Sequence, residues 1–209
     1  MSNLTIATPP PLRIFSREMI LDIRAILADS YQKTHNECFA QYDPATARDL
    51  FPYQRKALID TRLLSFAKKY GILFSLEKNI SKNATHVEMK IGNTVVVVYY
   101  SPYGERRKNI YRDNLTQTNY IPLPGIGLEK LNTDKEYVEI IHGPSDSKLN
   151  ELGFFIMTKP SCDDSGCIWR YDLNRLVIKN SVKPEMIEDE ASVQLRRKQA
   201  MAKEQGDER

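Results

Sequence analysis

Residues that staple a secreted fold are scarce in this chain: three cysteines and one tryptophan in 209 residues. An odd cysteine count, with no signal-like apolar N-terminus, argues against a disulfide-built secreted protein and predicts a reducing compartment, the cytoplasm. Long hydrophobic runs are missing too. The longest, Val95 to Tyr100, falls far short of the roughly 20 residues a membrane-spanning helix needs, so no membrane partner is expected. Nor is there an excess of one charge. Thirty basic residues against 27 acidic ones leave a net charge of +3, too balanced to identify a polyanionic partner, so any such partner must be read from local clustering.

Several motifs of known chemistry are likewise missing. Pro124-Gly-Ile-Gly127 lacks the lysine and hydroxyl residue that complete a phosphate loop. No dinucleotide fingerprint, hydrolase elbow or kinase set occurs.

What is present is a change of periodicity at Gly71. Before it, Ser16 is an N-cap with Glu18 in the first turn, and Ile20, Ile23, Leu27, Tyr31 and Cys38 recur at helical spacing to about Phe39. Asp43-Pro44 repeats the start signal, Phe51-Pro52 marks an interruption, and a longer helix is predicted over Tyr53 to Tyr70 with Ile59, Leu63, Phe66 and Tyr70 as its apolar stripe. Arg55, Arg62 and Lys69 align on another face. After Gly71, Ile72 to Glu77, His86 to Ile91 and Thr94 to Tyr100 read as a meander whose last two strands meet at Gly92-Asn93. Tyr137 to Ile141, Gly153 to Thr158 and Ile168 to Ile178 are further strands, and residues 101–134 are a long irregular excursion.

The pattern predicts an α+β fold, with N-terminal helices packed on a mainly antiparallel β-sheet and a charged C-terminal tail. Pro9-Pro10-Pro11 makes residues 1–11 an extended arm, 12–180 one domain, and 181–209 a charged helical or disordered tail.

The first functional candidate is the bend after the third strand. Arg106, Arg107, Lys108 and Arg112 lie beside Tyr99, Tyr100, Tyr103 and Tyr111. Guanidinium and ammonium groups neutralise phosphate, and tyrosine rings stack on bases, so this mixture fits nucleic acid. The same residues also read as a solvated hairpin whose tyrosines pack on the sheet.

The second candidate is Glu88-Met-Lys90, a carboxylate and an ammonium on one face of a strand, with Glu77 on the strand before it. Over about fifteen residues this resembles the carboxylate-x-lysine half of restriction-endonuclease-like nucleases. The resemblance implies acidic residues holding magnesium and a lysine that positions or activates the attacking water. That family usually carries an aspartate ahead of the motif, whereas none occurs here between Asp60 and Asp113. Alternation of Val87, Met89 and Ile91 with Glu88 and Lys90 is also what a half-exposed strand displays.

A third candidate gathers His35, Cys38, Cys162 and Cys167 as a tetrahedral zinc set, although Cys38 lies on the apolar helix stripe and reads equally as a small buried hydrophobe. His142, ahead of Gly143-Pro144, and His86 lack a nucleophile at a defined spacing.

The expectation is therefore a non-enzymatic intracellular binding protein with nucleic acid as its most concrete partner. A metal-dependent nuclease built on Glu77, Glu88 and Lys90 is the first alternative, and a protein-interaction adapter or inhibitor the second. No cofactor is expected outside the magnesium and zinc readings. Oligomeric state is left open.

Overall fold

In the computed structural model the described residues are 8–78, 85–104, 110–116, 119, 135–145, 148–161 and 166–181. Three helices come first. Pro11–Ile14 (α1) is a single helical turn, and residues 1–7 of the expected arm lie outside the described residues. A fixed proline φ suits the first turn of a helix, and the turn delivers Phe15 into the core.

Arg17–Gln41 (α2) begins at Ser16, whose Oγ accepts from the Met19 amide at 3.2 Å. It buries Ile20, Ile23, Leu27, Tyr31 and Cys38, the stripe its spacing predicts. Pro44–Lys69 (α3) is capped by Asp43. Gly71, at φ 63°, ends it. Its amide and that of Ile72 turn back to the carbonyls of Lys68 and Ala67, an arrangement that needs the left-handed region.

Pro52 does not interrupt α3 but lies inside it. The missing amide removes one helical bond, to the carbonyl of Arg48. Continuity is held by a stripe that runs through the proline: Ala47, Phe51, Arg55, Ile59, Leu63 and Phe66 are all buried.

A six-stranded sheet follows, with strands in sequence order. They are Leu73–Lys78 (β1), Thr85–Ile91 (β2), Thr94–Tyr100 (β3), Glu136–Pro144 (β4), Leu152–Pro160 (β5) and Cys167–Asp172 (β6). Every neighbouring pair is antiparallel except β3 and β4. Their parallel pairing requires a crossover, which contains Ile110–Thr116 (α4). The fold is thus α+β, with N-terminal helices on a mostly antiparallel sheet.

The segment read as one strand, Ile168 to Ile178, divides at Leu173. Asn174–Ser181 is a helix (α5), started by the Asp172 carboxylate accepting from the Asn174 amide at 3.0 Å. The chain through Arg175 is one compact unit, and a second begins at Leu176. The expected charged tail beyond Ser181 lies outside the described residues.

Register separates the two faces of the sheet. Ser75, Glu88, Val97, Glu139, Thr158 and Arg170 are partners in succession across all six strands, so they share one face. The other face carries Met89, Val96, Val138, Ile140, Phe155 and Met157, all buried, and lies against α2 and α3. Arg62 to Asp29 at 2.5 Å and Lys69 to Asp22 at 2.6 Å join the two long helices.

Candidate functional site

On the face away from the long helices, β1 and β2 bring together the residues of the carboxylate-x-lysine pattern. Glu77 pairs with His86 and Ser75 with Glu88. Because side chains alternate, Glu77, His86, Glu88 and Lys90 rise from the same face of two adjacent strands. Glu77 and Glu88 are diagonal neighbours, and Lys90 stands one step further along β2.

Glu88 occupies the floor of this group, with 6% of its surface exposed. The Nε2 of His86 lies 4.0 Å from its Oε1. Burial pushes the Glu88 carboxyl above its usual range, the charge of Glu77 adds to the rise, and Lys90 partly opposes it. The side-chain oxygen of neighbouring Ser75 is enclosed, with no partner among the described residues. A carboxyl inclined to hold its proton, next to a second carboxyl and within reach of an ammonium group, can bind a cation or transfer a proton.

A third carboxylate lies on the same face. Glu139, fully buried, accepts from the hydroxyls of Tyr99 and Tyr137, each at 3.0 Å. Sequence reading overlooked Glu139 and Tyr137. The alternation Tyr137-Val138-Glu139 was the available signal, since an acidic residue within a buried strand requires donors beside it. Among the described residues, no three His, Cys, Asp or Glu side chains converge as a metal site. Two carboxylates from adjacent strands remain a donor pair that suits a hard divalent cation, since magnesium is held by one or two carboxylates with substrate phosphates and water completing its shell.

The zinc set is not assembled. His35 stacks on Phe39 at 4.4 Å and meets Phe51 edge-on. Cys38 points its thiol at Gln54 Oε1, 2.9 Å away, and burial pushes that thiol up in pKa. Cys167 is exposed at the start of β6, and Cys162 lies outside the described residues. The reason is periodic: Cys38 belongs to the buried stripe of α2, facing α3 rather than the sheet's last strand.

Of the basic and aromatic bend, Arg106, Arg107 and Lys108 lie outside the described residues, and Tyr111 and Arg112 are described only as positions on α4. Tyr99 is committed to Glu139. Tyr100 lies on the opposite face, its ring 4.2 Å from the Arg55 guanidinium carbon. Tyr103 is 83% exposed. Behind it, Arg170 donates to the Gly104 carbonyl at 2.9 Å and ties the bend to β6.

The stripe of Arg55, Arg62 and Lys69 is not a free basic surface. Arg62 and Lys69 are paired with α2, and Arg55 is 3% exposed.

No helix among the described residues is long and apolar enough to cross a membrane. Compared with protein-family models, with curated proteins and with solved structures, the chain shows no match to any of them.

Proposed function

We propose that this chain acts on nucleic acid as a metal-dependent phosphodiesterase. The observation that carries the reading is the register of β1 and β2, which aligns Glu77, Glu88 and Lys90 on one face. Glu77 and Glu88 would hold magnesium, which when bound supplies Lewis-acid activation of a phosphoryl oxygen. Lys90, exposed at the rim, would offset charge on the phosphate. The bend carrying Arg106, Arg107, Lys108 and Arg112 is the proposed contact with the backbone.

Labelled single- and double-stranded DNA and RNA, incubated with the protein in EDTA and then in magnesium or manganese, test this. Metal-dependent fragments that vanish with Glu88→Gln are the expected result. Intact substrate in every metal condition would remove the enzyme reading.

The exposed Tyr103 at the head of the bend favours a second reading, nucleic-acid binding without cleavage. Salt-sensitive retention in EDTA, weakened by neutralising Arg106 or Arg107 and never followed by fragments, would establish that reading instead. Absence of both retention and fragments would turn attention to a protein partner.

A further inference from the structure

Arg55 is a buried cation with no anionic partner among the described residues. Its guanidinium carbon lies 4.4 Å from the ring centre of Tyr31, 4.7 Å from that of Phe51 and 4.2 Å from that of Tyr100. Three rings from α2, α3 and β3 therefore surround a side chain that is 97% removed from solvent, as its 3% exposure gives. No hydrogen bond or ion pair joins it to any described residue. Its nitrogens are not among the enclosed side-chain atoms that lack a partner.

Buried charges in folded proteins are paired, and a guanidinium carries five N–H donors. Aromatic faces satisfy the cation's charge in part but accept none of those donors in the way an oxygen does. Among the described residues, the neighbours of the cage supply no anion either. His142 pairs with Tyr100 in the parallel register of β3 and β4, and its Nδ1 is 3.0 Å from the Tyr31 hydroxyl. Burial, reinforced by the Arg55 charge, holds its pKa down to about 3, so the ring is neutral. Burial likewise keeps the Tyr31 phenol protonated. Among the described residues, the site has a fixed positive fork, a neutral imidazole and a hydroxyl, and no carboxylate.

We propose that the Arg55 cage is a binding site for an oxyanion group, a phosphate or a carboxylate, received on the guanidinium fork between Tyr31, Phe51 and Tyr100 and beside His142. The fork geometry matches two oxygens of either group, and the low-dielectric walls strengthen the contact. The site lies on the helix-covered face of the sheet, whereas Glu88 lies on the other. It is therefore separate from the proposed phosphodiesterase residues and does not depend on that reading.

The test is thermal unfolding of the full chain against rising inorganic phosphate and, separately, acetate, with ionic strength held constant by potassium chloride. Wild type is expected to show a saturable rise in Tm with at least one of the two, and the anion that gives it identifies the class. Arg55→Met should abolish that rise. If that variant does not fold, Arg55→Lys keeps the charge without the fork and should weaken the apparent affinity at least tenfold. Absence of a saturable rise with both anions, or a rise that persists unchanged in Arg55→Met or Arg55→Lys, overturns the proposal.

Discussion

Tyr31 and His142, 111 residues apart, meet through a 3.0 Å hydrogen bond in the layer between helices and sheet, their rings edge-on at 84°. Both are buried, and both are kept neutral there.

Acid sensitivity follows from that contact. His142 has a folded pKa of about 3 against an ordinary value of 6.5. The unfolded chain therefore takes up a proton that the folded chain refuses. The stability due to the neutral ring is fully present above pH 6.5 and is lost progressively as pH falls toward 3. At ~1.4 kcal/mol for each pH unit, the full loss is roughly 5 kcal/mol. Urea unfolding at pH 7 and pH 4.5 should show a large drop for wild type and a smaller one for His142→Gln. Equal drops would show that His142 does not carry the effect.

Glu88 has the opposite sign. Its carboxyl is pushed up by burial and by Glu77, so the folded state favours the proton and the ionised form opposes folding above that raised pKa. Glu88→Gln should leave Tm at pH 7 unchanged or higher while removing metal-dependent cleavage. A variant that lost stability along with activity would assign Glu88 to the core rather than to chemistry.

Pro52 interrupts a hydrogen bond inside α3 and is itself exposed. Pro52→Ala restores the amide and is expected to stabilise by about 1–2 kcal/mol, the helical gain being reduced by the freer unfolded chain. A fall in the urea midpoint would mean that the ring itself contributes to packing.

Asn119 closes a gap in the sheet. Its side-chain oxygen accepts from the Tyr137 amide at 2.7 Å, and its nitrogen donates to the carbonyls of Tyr137 and Pro160 at 2.7 and 3.0 Å. Pro160 has no amide to offer, and the β5–β6 register shifts beside it, so a side chain does what the ladder cannot. Asn119→Ala leaves buried backbone groups unpaired and should destabilise by about 2–3 kcal/mol. Asn119→Asp should be worse at neutral pH, because it sets a carboxylate against two carbonyls. An Asp variant as stable as wild type would contradict this account.

Local signals were legible in the sequence. Ser16, Asp43-Pro44, Gly71 and the Gly92-Asn93 turn each act within a few residues, and each marks the boundary it announces. The alternation in β2 put Glu88 and Lys90 on one face. Alignment of Glu77 with them was not legible, since it depends on strand register. The burial of Arg55 was hidden as well: a positive residue on a helix reads as solvent-facing unless its aromatic neighbours from distant segments are known. At Leu173 the β-branched residues that follow outweighed Asp172 as a start signal for α5.

The single parallel step between β3 and β4 also orders events along the folding path. Within β1–β3 and within β4–β6, each strand finds its neighbour across a short connection, so each triad can nucleate locally. The triads join only when residues 101–135 close on themselves. Loop entropy grows slowly with length, so that closure costs only about 1–2 kcal/mol more than a hairpin's, yet it comes after the local pairings. The ladder from Thr94↔Glu136 to Tyr100↔His142 is thus a late zipper, and the layer that holds Arg55 and His142 is complete only once it has closed.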